Sequence, residues 1–281
     1  MKRRNLLLGM GVLAAAPWVT AGEHRAPLRI GLTPVFLDDQ AAFLNRWRDY
    51  LEARTQLPIQ FVQRASYREI VEQVVARDLD VAWLCGFPYI TEKARLQLMV
   101  APLFHGKPEY HSYLITRSTR QEQDLHELSG GVMAYSDPNS FSGYLYPRHQ
   151  LQTAGLSSDS HFRRSFFTWS HRKVVEAVSV GLADAGSVAG YVWETMAKLN
   201  PAITNNTRII ARSEAYGFPP FVARSDLDQE LFRRIQAVFL GMRQDPLGAG
   251  LLEELNLDGF IPAEEAMYDG IAAIIRSSRI G

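Results

Sequence analysis

Ser136-Asp137-Pro138-Asn139-Ser140-Phe141-Ser142-Gly143-Tyr144-Leu145-Tyr146-Pro147 follows the apolar run Gly131-Val132-Met133-Ala134-Tyr135 and reads as the passage from a strand into a helix. Pro138 stops the strand, Asn139 or Ser140 can cap, and Gly143 lets another backbone come close. The first turn then offers hydroxyls and unpaired backbone N–H groups at the positive end of the helix dipole, the local chemistry of an anion pocket. An ordinary Ser-capped helix has the same composition, so the neighbouring segments must decide between the two.

Upstream, Leu28-Arg29-Ile30-Gly31-Leu32 reads as a first strand, and Pro34 with Asp38-Asp39 turns it into a helix from about Gln40 to Arg54. Phe43, Leu44, Trp47 and Leu51 share one face of that helix. A second strand at Pro58–Val62, a helix carrying Ile70, Val71, Val74 and Val75, and a third strand at Val81–Leu84 complete a β-α-β-α-β unit, which predicts a parallel sheet covered by helices. The pattern restarts at Gly131 with the Ser140–Ala154 helix, a strand at Ser165–Trp169, a helix bearing Val174, Val175 and Val178, and a short buried strand at Ala183–Val188. Beyond Phe218-Pro219-Pro220-Phe221, Leu231, Ile235, Val238, Phe239 and Met242 are spaced as a core stripe, so the final third reads as helical. Extended segments near residues 111–117 and 207–213 join the two units, and a cleft between them is where a ligand would sit. The loops expected to face it are Thr33–Asp38, Ser66-Tyr67, Leu84–Pro88, Asp137–Ser142, Ser170-His171 and Ser187–Tyr191.

Met1-Lys2-Arg3-Arg4 followed by an apolar run to Ala21 reads as an export signal cleaved after Ala21, routed through the general secretory or the twin-arginine pathway. The expected compartment is the periplasm. The remaining chain, about 260 residues, suits two lobes or one large α/β domain. Over the full 281 residues, 30 basic and 30 acidic residues cancel, which removes any whole-chain electrostatic case for nucleic acid or anionic lipid. Cys85 is the only cysteine, so no intramolecular disulfide can form.

Taken together, Ala65-Ser66-Tyr67-Arg68-Glu69-Ile70, Leu79-Asp80-Val81-Ala82-Trp83, the Asp137–Pro147 segment, His171-Arg172-Lys173 and Gly181-Leu182-Ala183-Asp184-Ala185-Gly186 resemble the phosphate/phosphite/phosphonate-binding proteins of ABC importers, from about Leu28 to Tyr268. The resemblance implies an α/β type II periplasmic binding fold: two α/β lobes, a ligand cleft and two crossover strands. One lobe would be residues 22–112 with 214–281, the other 113–213. It further implies capture of a small anionic ligand by lobe closure, no chemistry, no cofactor or metal, a monomer, and an ABC permease as partner. Residue by residue, Tyr67 would donate its phenol to the anion, Ser140 and Ser142 would supply hydroxyls and N–H groups, and His171 would close from the second lobe. Pro34 and Tyr191 would line the cleft, and Phe141 stands where phosphonate binders of this type have a Thr. Carboxylates that hold an aminoalkyl tail in relatives are replaced near Tyr191 and Phe218, which argues against an aminoalkylphosphonate because its buried ammonium would lack a partner.

Cys85, in Leu84-Cys85-Gly86-Phe87-Pro88, has two further readings beside that of a small buried hydrophobe. Family relatives that feed sensor kinases recognise arsenite through a cysteine, so Cys85 could be a thiolate ligand in a sensor docking on a membrane histidine kinase, with His105 and His111 nearby. Alternatively, Cys85 with His111 or His171 would make a Cys-His hydrolase, a reading weakened by the lack of a Gly-x-Ser-x-Gly elbow, a catalytic metal motif or a phosphate loop.

Overall fold

The computed structural model describes residues 26–34 and 40–278; the export segment at 1–21 and the turn at Asp38-Asp39 lie outside the described residues. Three strand-helix pairs open the fold: β1 (Leu28–Leu32) with α1 (Ala41–Thr55), β2 (Ile59–Gln63) with α2 (Tyr67–Val75), and β3 (Val81–Trp83) with α3 (Gly86–Glu92). Next come β4 (Leu96–Leu103), the two-residue β5 (Glu109–Tyr110) and β6 (Ser112–Arg117). The alternation then resumes with β7 (Val132–Tyr135), a π-helical turn (Phe141–Leu145) running into α4 (Tyr146–Thr153), and the short α5 (Ser158–His161). It continues through β8 (Arg164–Phe167), α6 (His171–Ser179), β9 (Ala185–Ala189), α7 (Gly190–Leu199), α8 (Pro201–Thr204) and β10 (Thr207–Arg212). The last third carries β11 (Tyr216–Gly217), β12 (Phe221–Arg224), α9 (Gln229–Gly241), α10 (Pro246–Leu255), β13 (Gly259–Pro262) and α11 (Asp269–Ser277).

These strands form a six-stranded sheet in the order β13-β4-β12-β3-β1-β2 and a five-stranded sheet in the order β10-β6-β9-β7-β8. β1 pairs in parallel with both β2 and β3, as β-α-β crossovers require, and β7 does the same with β8 and β9. The chain leaves the first sheet after β4, builds the whole second sheet, then returns to insert β12 antiparallel between β3 and β4 and to add β13 at the edge. Both passages run through a small antiparallel ribbon in which Tyr110 of β5 pairs with Tyr216 of β11.

Two sequence expectations change here. The segments 111–117 and 207–213 are not the passages themselves: β6 and β10 lie side by side in the five-stranded sheet, and the β5–β11 ribbon does the crossing. The final third is not wholly helical, since β12 and β13 both join the first sheet. β12 is buried on both faces over Phe221–Ala223, so no period-two alternation marks it.

The expected Ser140 helix begins as a π turn for a local reason. Pro147 has no N–H to return to the Gly143 carbonyl, and that carbonyl accepts from the Ser136 N–H at 3.2 Å instead. Leu145 N–H reaches back five residues to the Ser140 carbonyl at 3.0 Å. Packing under the first sheet centres on Trp47, which is fully buried and has the rings of Phe43, Phe61, Trp83, Phe221 and Phe239 within 6.4 Å. One apolar cluster runs from this centre through Tyr110 and Phe218 to Val174 and Tyr191, so the two lobes share a continuous packed seam.

Replacing Trp47 by Ala is expected to cost about 3–5 kcal/mol, the range for emptying a large aromatic site. Trp47→Phe is expected to cost clearly less, because the indole N–H it removes has no hydrogen-bond partner among the described residues. Denaturant unfolding of the two variants checks the order.

Candidate functional site

The helix starts converge. Tyr67 is the first residue of α2, Cys85 caps α3, Ser140 caps the π turn that leads to α4, His171 opens α6, and Ala189 caps α7. The first two belong to the six-stranded sheet's connections and the other three to those of the five-stranded sheet. Where they meet, a chamber of about 20 Å³ is lined by Tyr67, Cys85, Tyr110, Ser142, His171 and Tyr191, the last with its hydroxyl donated to the Leu255 carbonyl. Trp83, Ala189, Phe218 and Pro219 supply an apolar wall. That space is little more than one ordered water needs. Outside it, an open groove of about 990 Å³ carries Arg64, Ser66 and Arg68 on one side and Asp137, Trp169 and Lys173 on the other.

Each polar wall group is held in a defined state. His171 Nδ1 accepts from the Ala189 N–H at 3.1 Å, which leaves the ring proton on Nε2, 3.3 Å from Ser140 Oγ. Burial pushes the His171 pKa down from 6.5 to about 3, so the ring is neutral and its one N–H is directed at Ser140 Oγ. Ser140 Oγ also accepts from the Gly143 N–H at 3.0 Å, closing the cap. Gly143 permits this: a Cβ there would stand 1.9 Å from Ser136 Oγ and 2.9 Å from the His171 ring. The Ser142 carbonyl accepts from Ser112 Oγ at 2.7 Å and Ser187 Oγ at 2.6 Å, which fixes the Ser142 backbone from strands β6 and β9. The hydroxyl of Tyr110 lies beside Cys85 and Ser142, yet it makes no well-directed hydrogen bond among the described residues. Burial raises the pKa of Tyr110 and Tyr191, so both phenols keep their protons.

Cys85 is not poised as a nucleophile. Its Sγ accepts from the Phe141 N–H at 3.3 Å, and burial pushes the thiol pKa upward. His111 Nδ1 bonds the Ser213 carbonyl at 2.8 Å and His105 Nε2 bonds Glu194 at 2.9 Å, so neither ring has the thiol as a hydrogen-bond partner. Among the described residues no group of three or more His, Cys, Asp or Glu could hold a metal ion.

Of the residues singled out in sequence, Tyr67, Cys85, Ser142, His171 and Tyr191 come together in the chamber. Ser140 stands one layer behind, as the cap and as the His171 partner. Phe141 is fully buried and turns its ring to Tyr216 at 4.5 Å, and Pro34 lines the outer groove instead. Sequence reading missed Tyr110 and Trp83, and noted Phe218 only as a position where a carboxylate is lacking. Tyr110 and Phe218 reach the chamber through the crossing ribbon, and only the Pro-rich run around Phe218 hinted at it.

The depressed His171 pKa has a consequence with a definite sign. The unfolded chain takes up a proton near pH 6.5 that the native ring refuses until about 3, so this group's contribution to stability falls as pH drops through that window. An NMR titration is expected to show the His171 ring neutral across pH 5 to 8; a midpoint near 6.5 would contradict the geometry.

Residues 30–268 match the family model for the ABC transporter, phosphonate, periplasmic substrate-binding protein. The chain is 25% identical over 249 residues to the "probable ABC transporter phosphite binding protein PhnD1" of Prochlorococcus marinus (strain MIT 9301), covering 83% of this chain and 82% of that one. It is also 25% identical over 246 residues to the phosphate-import protein PhnD of Mycolicibacterium smegmatis, covering 79% and 76%. In structure it superposes on PhnD1 from Prochlorococcus marinus in complex with methylphosphonate with a TM-score of 0.79 at 23% identity, over 89% of this chain and 97% of the other. The binding protein component of an ABC phosphonate transporter from Pseudomonas aeruginosa gives 0.82 at 18% identity, over 89% and 85%. At these identities the structural likeness speaks for the two-lobed α/β fold alone. With the family model spanning nearly all the described residues, the chain belongs to the periplasmic substrate-binding proteins of phosphonate-type ABC transporters.

Proposed function

We propose that the chamber captures a small tetrahedral phosphorus oxyanion carrying one apolar substituent, of the phosphite or methylphosphonate kind, for delivery to an ABC permease. One observation carries this reading: hydroxyls and helix starts from both lobes surround the chamber, and none of its lining side chains bears a formal charge in the states described above. Such a wall binds an anion through dipoles. Trp83, Ala189, Phe218 and Pro219 offer nothing to a fourth P–OH but suit a P–H or P–CH₃ face. Phosphate would leave one hydroxyl without a partner, and an unmade buried hydrogen bond costs about 1–3 kcal/mol. An aminoalkyl tail would bring an ammonium into a chamber lined by no carboxylate.

The lobes divide at the ribbon, with residues 22–112 and 214–281 on one side and 113–213 on the other, a split that the strand membership supports to within a residue at Ser112. Closure is a population shift, because the anion touches both lobes only when they meet. The protein acts as an exported monomer whose residues 1–21 are removed on passage to the periplasm, and it performs no reaction on its ligand. A second reading stays open on one observation, the thiol of Cys85 in the chamber wall: a soft oxyanion such as arsenite would be sensed there and reported to a membrane kinase.

Calorimetry with phosphite, methylphosphonate, phosphate, 2-aminoethylphosphonate, sulfate and arsenite separates these possibilities. Phosphite or methylphosphonate is expected to bind tightest and 2-aminoethylphosphonate weakest. Tight 2-aminoethylphosphonate binding rejects the apolar-wall reading, and arsenite binding lost in Cys85→Ser supports the sensor. Ser142→Ala is expected to weaken the best ligand by about 10- to 100-fold with an unchanged melting temperature; unaltered affinity rejects this cradle.

A further inference from the structure

Asp137 is 1% exposed, and among the described residues no Lys or Arg is bonded to its carboxylate. Its two oxygens are divided between the lobes. Oδ1 accepts from the Asn139 N–H at 2.7 Å, a local Asx turn that shapes the loop before Ser140. Oδ2 accepts from the Tyr67 N–H at 3.0 Å, at the first residue of α2 in the other lobe. Tyr67 lines the chamber while Asp137 lines the outer groove, so this bond stands in the partition between the two spaces. The α2 N-terminus already has Ser66 and Glu69 as its capping box, and the Asp137 carboxylate adds a cap that only a closed molecule can make.

We propose that Asp137 is a closure clasp: by capping α2 across the cleft it bolts the partition over the bound anion and sets how slowly the ligand leaves. A carboxylate is needed because it has an acceptor for each donor. Asn has one, and keeping the short-range turn with Asn139 would turn its NH₂ toward the Tyr67 N–H, two donors facing each other. The clasp forms after the ligand is in place, so its loss acts on release and leaves entry alone. It acts through Tyr67 and the lobe contact, as a positioning residue. The proposal rests on the capture of an oxyanion in the chamber.

Stopped-flow fluorescence with methylphosphonate tests it, with Trp83 in the wall as reporter. Asp137→Asn, with melting temperature as the fold check, is expected to raise the dissociation rate about tenfold or more while the association rate stays within about twofold. An unchanged dissociation rate, or a change confined to association, overturns the clasp. Failure of the wild-type protein to bind any oxyanion in the panel overturns the capture reading, and amide exchange then judges the clasp: the Tyr67 N–H must exchange faster in Asp137→Asn than in wild type, equal rates overturning it. If Asp137→Asn does not fold, wild-type exchange at Tyr67 decides, since protection that rises with methylphosphonate supports a contact made on closure and protection indifferent to it does not.

Discussion

Taking an anion out of water without a cation beside it is the constraint on which this structure turns. A buried charge is costly unless paired or met by several well-aimed hydrogen bonds. At the proposed site the compensation would come from hydroxyls and from the starts of helices α2, α3, α4, α6 and α7, the α4 start being the π turn at Ser140, through N–H groups other than those of Tyr67, Phe141, Gly143 and Ala189, which are bonded within the protein. Burial holds four wall groups neutral: the imidazole of His171, the thiol of Cys85, and the phenols of Tyr110 and Tyr191. A site of this kind discriminates by the number and direction of its donors and by the shape of its apolar side.

The fold supplies that arrangement through its connectivity. In each sheet the parallel strands end at the same side, so the helix starts that follow β2 and β3 meet those that follow β7, β8 and β9. The β5–β11 ribbon both links the sheets and delivers Tyr110 and Phe218 to the chamber, which ties the hinge region to the wall of the site. Ser112 and Ser187, two strands into the second lobe, pin the Ser142 carbonyl, so the cradle is braced from below as well as capped in front.

Much of this was legible in the chain because it is written in local chemistry. Proline, serine and glycine punctuation in Ser136–Pro147 marks a helix start, and the apolar spacing around Trp47 and Ile70 marks helices on a parallel sheet. β12 and β13 were not visible, since the first is buried on both faces and carries no period, and the second is a four-residue edge strand too short to show one. Nor was the place of Tyr110, which depends on pairing with Tyr216 more than a hundred residues away. Asp137 reads in sequence as an ordinary turn residue before Pro138; its second oxygen finds the other lobe only in three dimensions. Phe141 shows the opposite limit, a residue adjacent to two polar wall positions in sequence whose ring turns away into the aromatic seam.

The most direct test is a crystal structure with methylphosphonate bound. The anion is expected between Tyr67, Ser142 and His171 with its methyl group against Trp83 or Phe218, and with no lysine or arginine nitrogen within about 4 Å, the usual ion-pair reach. A ligand found in the outer groove, paired with Arg64 or Lys173, would contradict charge capture by dipoles alone.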